Sequence, residues 1–86
     1  SVIIDVRTDD EFSTGYIEGA VNIDFYMGNK FISEIDKLDK SKSYFIYCKS
    51  GARSGQTCEL MKQKGFKKVY NLEGGILGWT GELEEL

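Results

Sequence analysis

Ser43-Tyr44-Phe45-Ile46-Tyr47-Cys48-Lys49-Ser50-Gly51-Ala52-Arg53-Ser54 is the stretch that decides how the rest of this chain is read. Its first half is rich in aromatic and β-branched residues, which suit a pleated, half-buried surface, so Ser43 to Cys48 is expected to be a strand. The strand breaks off in Lys49-Ser50-Gly51-Ala52-Arg53. From Ser54 the pattern turns helical, with Thr57, Cys58, Leu60 and Met61 inward and Lys62 and Lys64 in the last turn before Gly65. A cysteine between a strand end and a helix N-terminus sits where unpaired backbone N–H groups and the helix dipole favour negative charge. A free thiol has a pKa of about 8.5, and such settings or neighbouring cations lower it to roughly 3.5–7.5. Lys49 and Arg53 supply cations here, so Cys48 reads as a nucleophile that needs no histidine base, and the chain has no histidine. The competing reading is a small buried hydrophobe at a strand end, the commoner fate of free cysteine. Gly51, Arg53 and the strand-to-helix setting all favour the nucleophile.

Outward from this stretch, Val2-Ile3-Ile4 running into Asp5-Val6-Arg7 has the look of a strand buried on both faces. Thr8 followed by Asp9, Asp10 and Glu11 places a cap and then acids where a helix N-terminus favours them, and Gly15 stops that short helix. Ala20 to Asp24 is expected to be a second short strand, and Phe31, Ile32, Ile35 and Leu38 recur at helical spacing. Lys68 to Leu72 reads as a further strand, Gly74-Gly75 as a turn and Ile76 to Trp79 as a short apolar helical turn. An acidic tail, Glu82-Leu83-Glu84-Glu85-Leu86, follows. Strands alternating with helices imply an α/β fold with a mainly parallel sheet, and such sheets carry ligands in the loops at the carboxyl ends of their strands. The loop after Cys48 is in that place.

The composition removes several function classes. Eighty-six residues leave room for one domain, spanning 1–86. Eleven basic against fourteen acidic residues give a net charge of −3, with no overall basic field for a nucleic-acid backbone. No apolar run approaches the ~18–20 residues needed to cross a bilayer, and no signal-peptide pattern opens the chain. Two cysteines without histidine cannot build the usual four-ligand zinc site, so no metal is expected. Cys48 and Cys58 are not a Cys-x-x-Cys redox pair and proline is absent, which disfavours a thioredoxin-like fold twice over. The chain starts at Ser1 without an initiator Met, and the expectation is that an upstream piece has been processed, trimmed or left out.

Four elements carry a family resemblance. Asp5-Val6-Arg7, the run Glu11-Phe12-x-x-Gly15-x-Ile17-x-Gly19-Ala20-x-Asn22-Ile23, the loop Cys48 to Ser54, and Asn71-Leu72-Glu73-Gly74-Gly75-Ile76-x-x-Trp79 appear in this order over nearly the whole chain. Together they resemble the rhodanese (thiosulfate sulfurtransferase) family, in its small single-domain form. The resemblance implies a rhodanese-like α/β fold, with a four- or five-stranded mainly parallel sheet flanked by helices. It implies that Cys48 accepts a sulfane sulfur from thiosulfate or a persulfide donor and passes it to cyanide or a thiol, as two-step covalent catalysis. The substrate-binding residues are then Lys49, Ser50, Gly51, Ala52, Arg53 and Ser54. Their N–H groups hold the outer sulfur, and Lys49 and Arg53 attract the anionic donor. No cofactor is implied. The partners are a small-molecule sulfur donor and acceptor or a sulfur-relay protein, with no nucleic acid and no membrane, for a monomer in the cytoplasm or, alternatively, the periplasm.

Two rivals share the design. Cysteine phosphatases use Cys-x5-Arg, whereas this loop is Cys-x4-Arg, a smaller cradle that suits one sulfur better than a phosphoryl group. A catalytically silent rhodanese-like binding module typically lacks the active cysteine, which is kept here. Asp5 and Glu11 are read as scaffold, with Arg7 available to pair an acid. Cys58 is read as packing and not as a resolving thiol, and Tyr16 and Trp79 as core aromatics. Tyr16 stands where the family usually has histidine. The segment and short strand that usually precede the Asp-x-Arg strand are missing, so the sheet is expected to be one strand short or to take its edge from residues outside 1–86.

Overall fold

The computed structural model describes residues 1–84, and Glu85 and Leu86 of the acidic tail lie outside them. Strand β1 is Val2–Asp5, helix α1 Asp9–Ser13, β2 Tyr16–Ile17, β3 Val21–Asn22 and α2 Asn29–Asp36. Strand β4 is Ser43–Tyr47, α3 Ala52–Gln63, β5 Lys68–Asn71 and β6 Leu83–Glu84, with 3-10 turns at Phe25–Met27 and Gly75–Gly78. The main sheet has four strands in the order β3-β1-β4-β5. Every pairing in it is parallel, with Ile4 opposite both Val21 and Ile46, and Ile46 opposite Asn71. Strands β1 and β4 are central, and the loops leaving them head for opposite edges of the sheet. A crevice therefore opens at their carboxyl ends, the place where open parallel sheets hold ligands. Cys48 lies there, one residue beyond β4.

The helices are short but each has an identifiable cause. In α1, Thr8 and Glu11 form a capping box: the Glu11 N–H donates to Thr8 Oγ1 at 3.2 Å and the Thr8 N–H to Glu11 Oε1 at 3.0 Å. Helix α2 buries Phe31 and Ile35 and half-buries Ile32, and Leu38, the last residue at helical spacing, is half-buried just beyond the helix end. Helix α3 buries Thr57, Cys58 and Met61 against Ile4, Tyr44, Ile46 and Val69 of the sheet. Each large side chain so buried contributes about 1.5–3 kcal/mol. α3 begins at Ala52, before the expected Ser54, because Gly51 takes the left-handed conformation (φ +107°) that starts the helix early.

Two expectations need correction. Val2-Ile3-Ile4 does not form a strand buried on both faces. Ile4 is fully buried against α2 and α3, whereas Ile3, Phe45 (43% exposed) and Tyr70 (50% exposed) line the opposite face. From Ser43 to Ile46, β4 thus alternates with a period of two, as a half-covered sheet does, until Tyr47, which is buried. Phe45 and Tyr70 stack on each other there, and with Ile3, Ile17, Leu72 and Trp79 they border a groove of about 430 Å³. Trp79 is accordingly no core residue: it is 40% exposed on that rim. Within the acidic tail, Leu83–Glu84 pairs antiparallel with Tyr16–Ile17 in a second, two-stranded sheet. Tyr16 itself is half-buried, stacked on Phe12 at 4.1 Å. Among the described residues no helix is long and apolar enough to cross a membrane.

Candidate functional site

The site is assembled around Cys48 by backbone groups more than by side chains. Cys48 is 1% exposed. The N–H of Gly51 donates to its Sγ at 3.1 Å and the N–H of Ser54 at 3.4 Å, with Ser54 Oγ also 3.4 Å away. These donors are free because α3 has no side-chain cap: its first N–H groups, unlike those of α1, are left for the sulfur. Burial pushes the Cys48 thiol up, but hydrogen bonds from the Ser54 hydroxyl and from the N–H groups of Ser54, Gly51 and Ser50 prevail, and the pKa is lowered. Cys58, ten residues along, is also buried, but there burial prevails and the thiol is pushed up. Both cysteines are free thiols.

The loop is clamped from behind by the residues after β5. The N–H of Ile76 donates to the Cys48 carbonyl at 2.9 Å and that of Leu77 to the Lys49 carbonyl at 3.2 Å. This approach requires glycine at position 75. A Cβ there would stand 2.5 Å from both the Cys48 and the Lys49 carbonyl oxygens, at a φ of +57° that side chains rarely adopt. Asn71, at the end of β5, completes the clamp: its Oδ1 accepts the Ser54 hydroxyl at 2.6 Å and its Nδ2 donates to the Gly51 carbonyl at 3.3 Å.

Arg53 behaves differently from the free cation that the loop sequence suggests. Its Nη1 and Nη2 donate to the two Glu11 oxygens at 2.7 and 3.0 Å, and its guanidinium lies over the Tyr26 ring. The pair holds the Glu11 carboxyl down at about 2, chiefly through the Arg53 hydrogen bond against the opposing effect of burial. Most of the Arg53 charge is thus met by Glu11, and the lowered Cys48 pKa comes first from hydrogen-bond donors. Lys49 and Ser50 are exposed, Ala52 is exposed, Gly51 is half-buried and Ser54 fully buried. Lys49 makes no ion pair among the described residues.

Asp5 and Arg7 form a separate, nearly inaccessible pair. Arg7 Nη2 donates to Asp5 Oδ2 at 2.7 Å and to the Gly15 carbonyl at 2.7 Å, and the guanidinium lies over Tyr47. Glu11 is therefore free of Arg7 and serves the capping box and Arg53 together. Sequence reasoning left Glu11 as scaffold and gave no role near Cys48 to Asn71 or Gly75. The rule that parallel sheets place functional side chains at strand ends could have marked Asn71. Nothing local could have marked the contact of Glu11 with a residue 42 positions away.

Comparison with known proteins fits this geometry. The Rhodanese-like domain profile matches residues 1–82. YtwF of Bacillus subtilis (strain 168), provisionally named a sulfurtransferase, is 44% identical over 80 residues, which are 93% of this chain and 74% of YtwF. A protein of Allochromatium vinosum named Sulfurtransferase is 38% identical over 79 residues, 92% of this chain and 71% of its own. Longer proteins also match over part of their length. The sulfur-carrier-named YrkF of Bacillus subtilis (38% identical over 95% of this chain) is covered over 43%, and a tRNA uridine(34) hydroxylase of Teredinibacter turnerae (37% over 96%) over 27%. The crystal structure of a rhodanese-like domain protein from Staphylococcus aureus superposes with a TM-score of 0.85 at 33% identity, over 99% of this chain and 80% of that one. A profile match across almost the whole chain, with relatives and a fold of the same kind, places this protein in the rhodanese-like domain family.

Proposed function

We propose that the chain is a sulfurtransferase that moves a sulfane sulfur from thiosulfate or a persulfide donor to cyanide or a thiol acceptor through a persulfide on Cys48. The observation that carries this reading is the convergence of the Gly51 and Ser54 N–H groups and the Ser54 hydroxyl on one buried sulfur. In the first half-reaction the Cys48 thiolate attacks the outer sulfur of thiosulfate. The S–S bond of the donor breaks and its electron pair leaves with sulfite. In the second, cyanide or a thiolate attacks the outer sulfur of the persulfide, the Sγ–S bond breaks, and its electron pair returns to Cys48 Sγ. Atoms and charge balance without an oxidant or a cofactor.

The loop residues Lys49, Ser50, Gly51, Ala52, Arg53 and Ser54 divide the work. The N–H groups of Lys49 to Ser54 receive the outer sulfur as charge gathers on it, and one such preorganised donor is worth about 10²–10³ in rate where it has been removed from other enzymes. Lys49, exposed and unpaired by the described residues, draws the anionic donor toward the crevice. Arg53 fixes the far end of the loop to α1 through Glu11. The sulfur-carrier name of one relative supports a protein thiol among the acceptors. A phosphatase reading loses ground twice, because Arg53 is bidentate to Glu11 and the donors meet at a single atom.

Intact-mass measurement after incubation with thiosulfate tests the proposal. The native protein is expected to gain one sulfur atom and to lose it on addition of cyanide, and Cys48→Ser to gain nothing. A native protein that gains no sulfur, or a Cys48→Ser variant that does, overturns it.

A further inference from the structure

The hydroxyl of Ser54 has one hydrogen and two claimants. Asn71 Oδ1 is 2.6 Å from Ser54 Oγ, a short hydrogen bond, and Cys48 Sγ is 3.4 Å away. The orientation of Asn71 is not free. Its other amide atom faces the Gly51 carbonyl at 3.3 Å, where only an N–H is accommodated, so Oδ1 must face Ser54. While Asn71 holds the hydroxyl hydrogen, Ser54 presents only a lone pair to Cys48, which suits a neutral S–H and opposes a thiolate. A rotation about the Ser54 Cβ–Oγ bond reverses this, because the hydroxyl then donates to Sγ and stabilises negative charge there. All three side chains are buried or half-buried, so water does not readily replace either partner.

We propose that Asn71 is a positioning residue of the Cys48 site: its Oδ1 holds the Ser54 hydroxyl hydrogen while Cys48 carries its own proton and yields it to Sγ when negative charge is on the sulfur. No proton changes owner in this hand-over. The thiol deprotonates to solvent, and one hydrogen bond is exchanged for another. The same exchange recurs in the second half-reaction, when the Sγ–S bond breaks and the electron pair returns to Cys48. Asn71 thus sets how readily the sulfur leaves its neutral state, and β5 takes part in chemistry performed on β4. The inference rests on Cys48 being the nucleophile, but it does not need the identity of the sulfur donor.

The other groups facing Cys48 do not account for the effect. Arg53 of α3 feels the Cys48 charge but is tied to Glu11 of α1 and lies over Tyr26, and Lys49 adjoins Cys48 in the chain. These groups are the same in every variant below, so differences among variants isolate Ser54 and Asn71.

The test is the pH dependence of Cys48 alkylation by iodoacetamide, followed by mass, in the native protein, Asn71→Ala, Asn71→Asp, Ser54→Ala and the two double variants. Asn71→Ala releases the Ser54 hydroxyl to the thiolate, and its alkylation midpoint is expected to fall by about half a pH unit or more. Asn71→Asp keeps an acceptor, holds the hydroxyl harder and adds charge, so its midpoint is expected to rise. In the Ser54→Ala background the fall caused by Asn71→Ala is expected to vanish. A role confined to bracing the loop predicts something else. Both Asn71 variants lose the bond to the Gly51 carbonyl, so both midpoints would move the same way, with or without Ser54. That pattern, or an Asn71→Ala midpoint that rises, overturns the proposal. Should Asn71→Ala not fold, Asn71→Asp decides alone: its rise must be larger with Ser54 than with Ser54→Ala. Sulfur uptake measured by mass is separate, so a native protein that takes no sulfur yet shows these shifts refutes the sulfurtransferase reading and leaves the role of Asn71 standing.

Discussion

Two cysteines ten residues apart, both nearly inaccessible to solvent, have been given opposite acidities. Cys48 is 1% exposed and Cys58 5%, so access does not separate them. Burial penalises the charged form of each. The difference lies in the donors around each sulfur: at Cys48 the Ser54 hydroxyl comes first, followed by backbone N–H groups. Cys48 stands before an uncapped helix start whose N–H groups have no carbonyl to serve, whereas Cys58 sits within α3, where they are already spent on the preceding turn. The start of α1, sealed by Thr8 and Glu11, shows the alternative that α3 avoids. The thiol at Cys48 is made more acidic by the Ser54 hydroxyl together with a helix start left without a cap.

The comparison breaks most completely at the sulfur itself. Cys48→Ser is expected to abolish thiosulfate-to-cyanide transfer while the circular dichroism spectrum stays native, because serine nearly matches the shape but cannot carry a sulfane sulfur. Cys58→Ser is expected to keep most of the activity. A steady-state cyanide assay on both variants checks this, and inactivation by the Cys58 change alone would reverse the assignment.

Gly75→Ala comes next. Its methyl would press on two backbone carbonyls at 2.5 Å, and neither can swing aside as a side-chain tip could. The Cys48 loop must move, with an expected loss of about 1–3 kcal/mol in stability. If each displaced donor costs about 10²-fold, sulfur transfer is expected to fall at least that far. Gly74→Ala is the control: its φ of +78° is also left-handed, but the nearest atom to its Cβ is 3.7 Å away. It is expected to cost about 1 kcal/mol and leave the loop in place. Thermal melts with single-turnover persulfide formation separate the two, and equal effects would mean that the clamp on the loop is not what Gly75 supplies.

Much of this arrangement was legible in sequence, and the remainder has a common physical cause. The strand ending at Tyr47, the glycine loop, α3 and the Thr8 cap follow from patterns within a few residues, since side-chain period and cap chemistry are local. The family resemblance rests on such local motifs too. What escaped is what strand order decides. Glu11 meets Arg53 because β1 and β4 are neighbours, and Asn71 meets Ser54 because β5 flanks β4. The one-sided burial of the sheet and the pairing of β2 with β6 likewise depend on which elements pack on which face. Two-residue strands carry too little periodicity to announce themselves.

Glu11→Gln sharpens the contrast by a smaller step. Glutamine preserves the capping box but removes the charge that Arg53 now serves. Released, the guanidinium acts on Cys48, whose charge it already feels. The Cys48 alkylation midpoint is expected to shift downward by a few tenths of a pH unit, with Cys58 unchanged and stability altered by less than about 1 kcal/mol, since the pair is partly exposed. An upward shift would mean that the ion pair serves the thiolate by holding the loop and not by occupying Arg53.

The smallest expected effect is also the one in which the cysteines differ in sign. Cys48 has a folded pKa below that of the unfolded chain, so between the two values the unfolded state holds a proton that the folded state lacks. Stability gained there rises with pH, is complete above the unfolded value near 8.5, and is lost as pH falls through the folded pKa. Cys58 has a folded pKa above the unfolded one, so from about pH 8.5 upward the unfolded state ionises first and stability drains away as pH rises. Chemical denaturation of the native protein, Cys48→Ser and Cys58→Ser from pH 6 to pH 10 reads both effects. Relative to native, the Cys48 variant is expected to lose progressively more stability as pH climbs toward 8.5, and the Cys58 variant to recover stability above it. Parallel curves would show that the two thiols do not differ in acidity, and the contrast between an open and an occupied helix turn would then fail at its source.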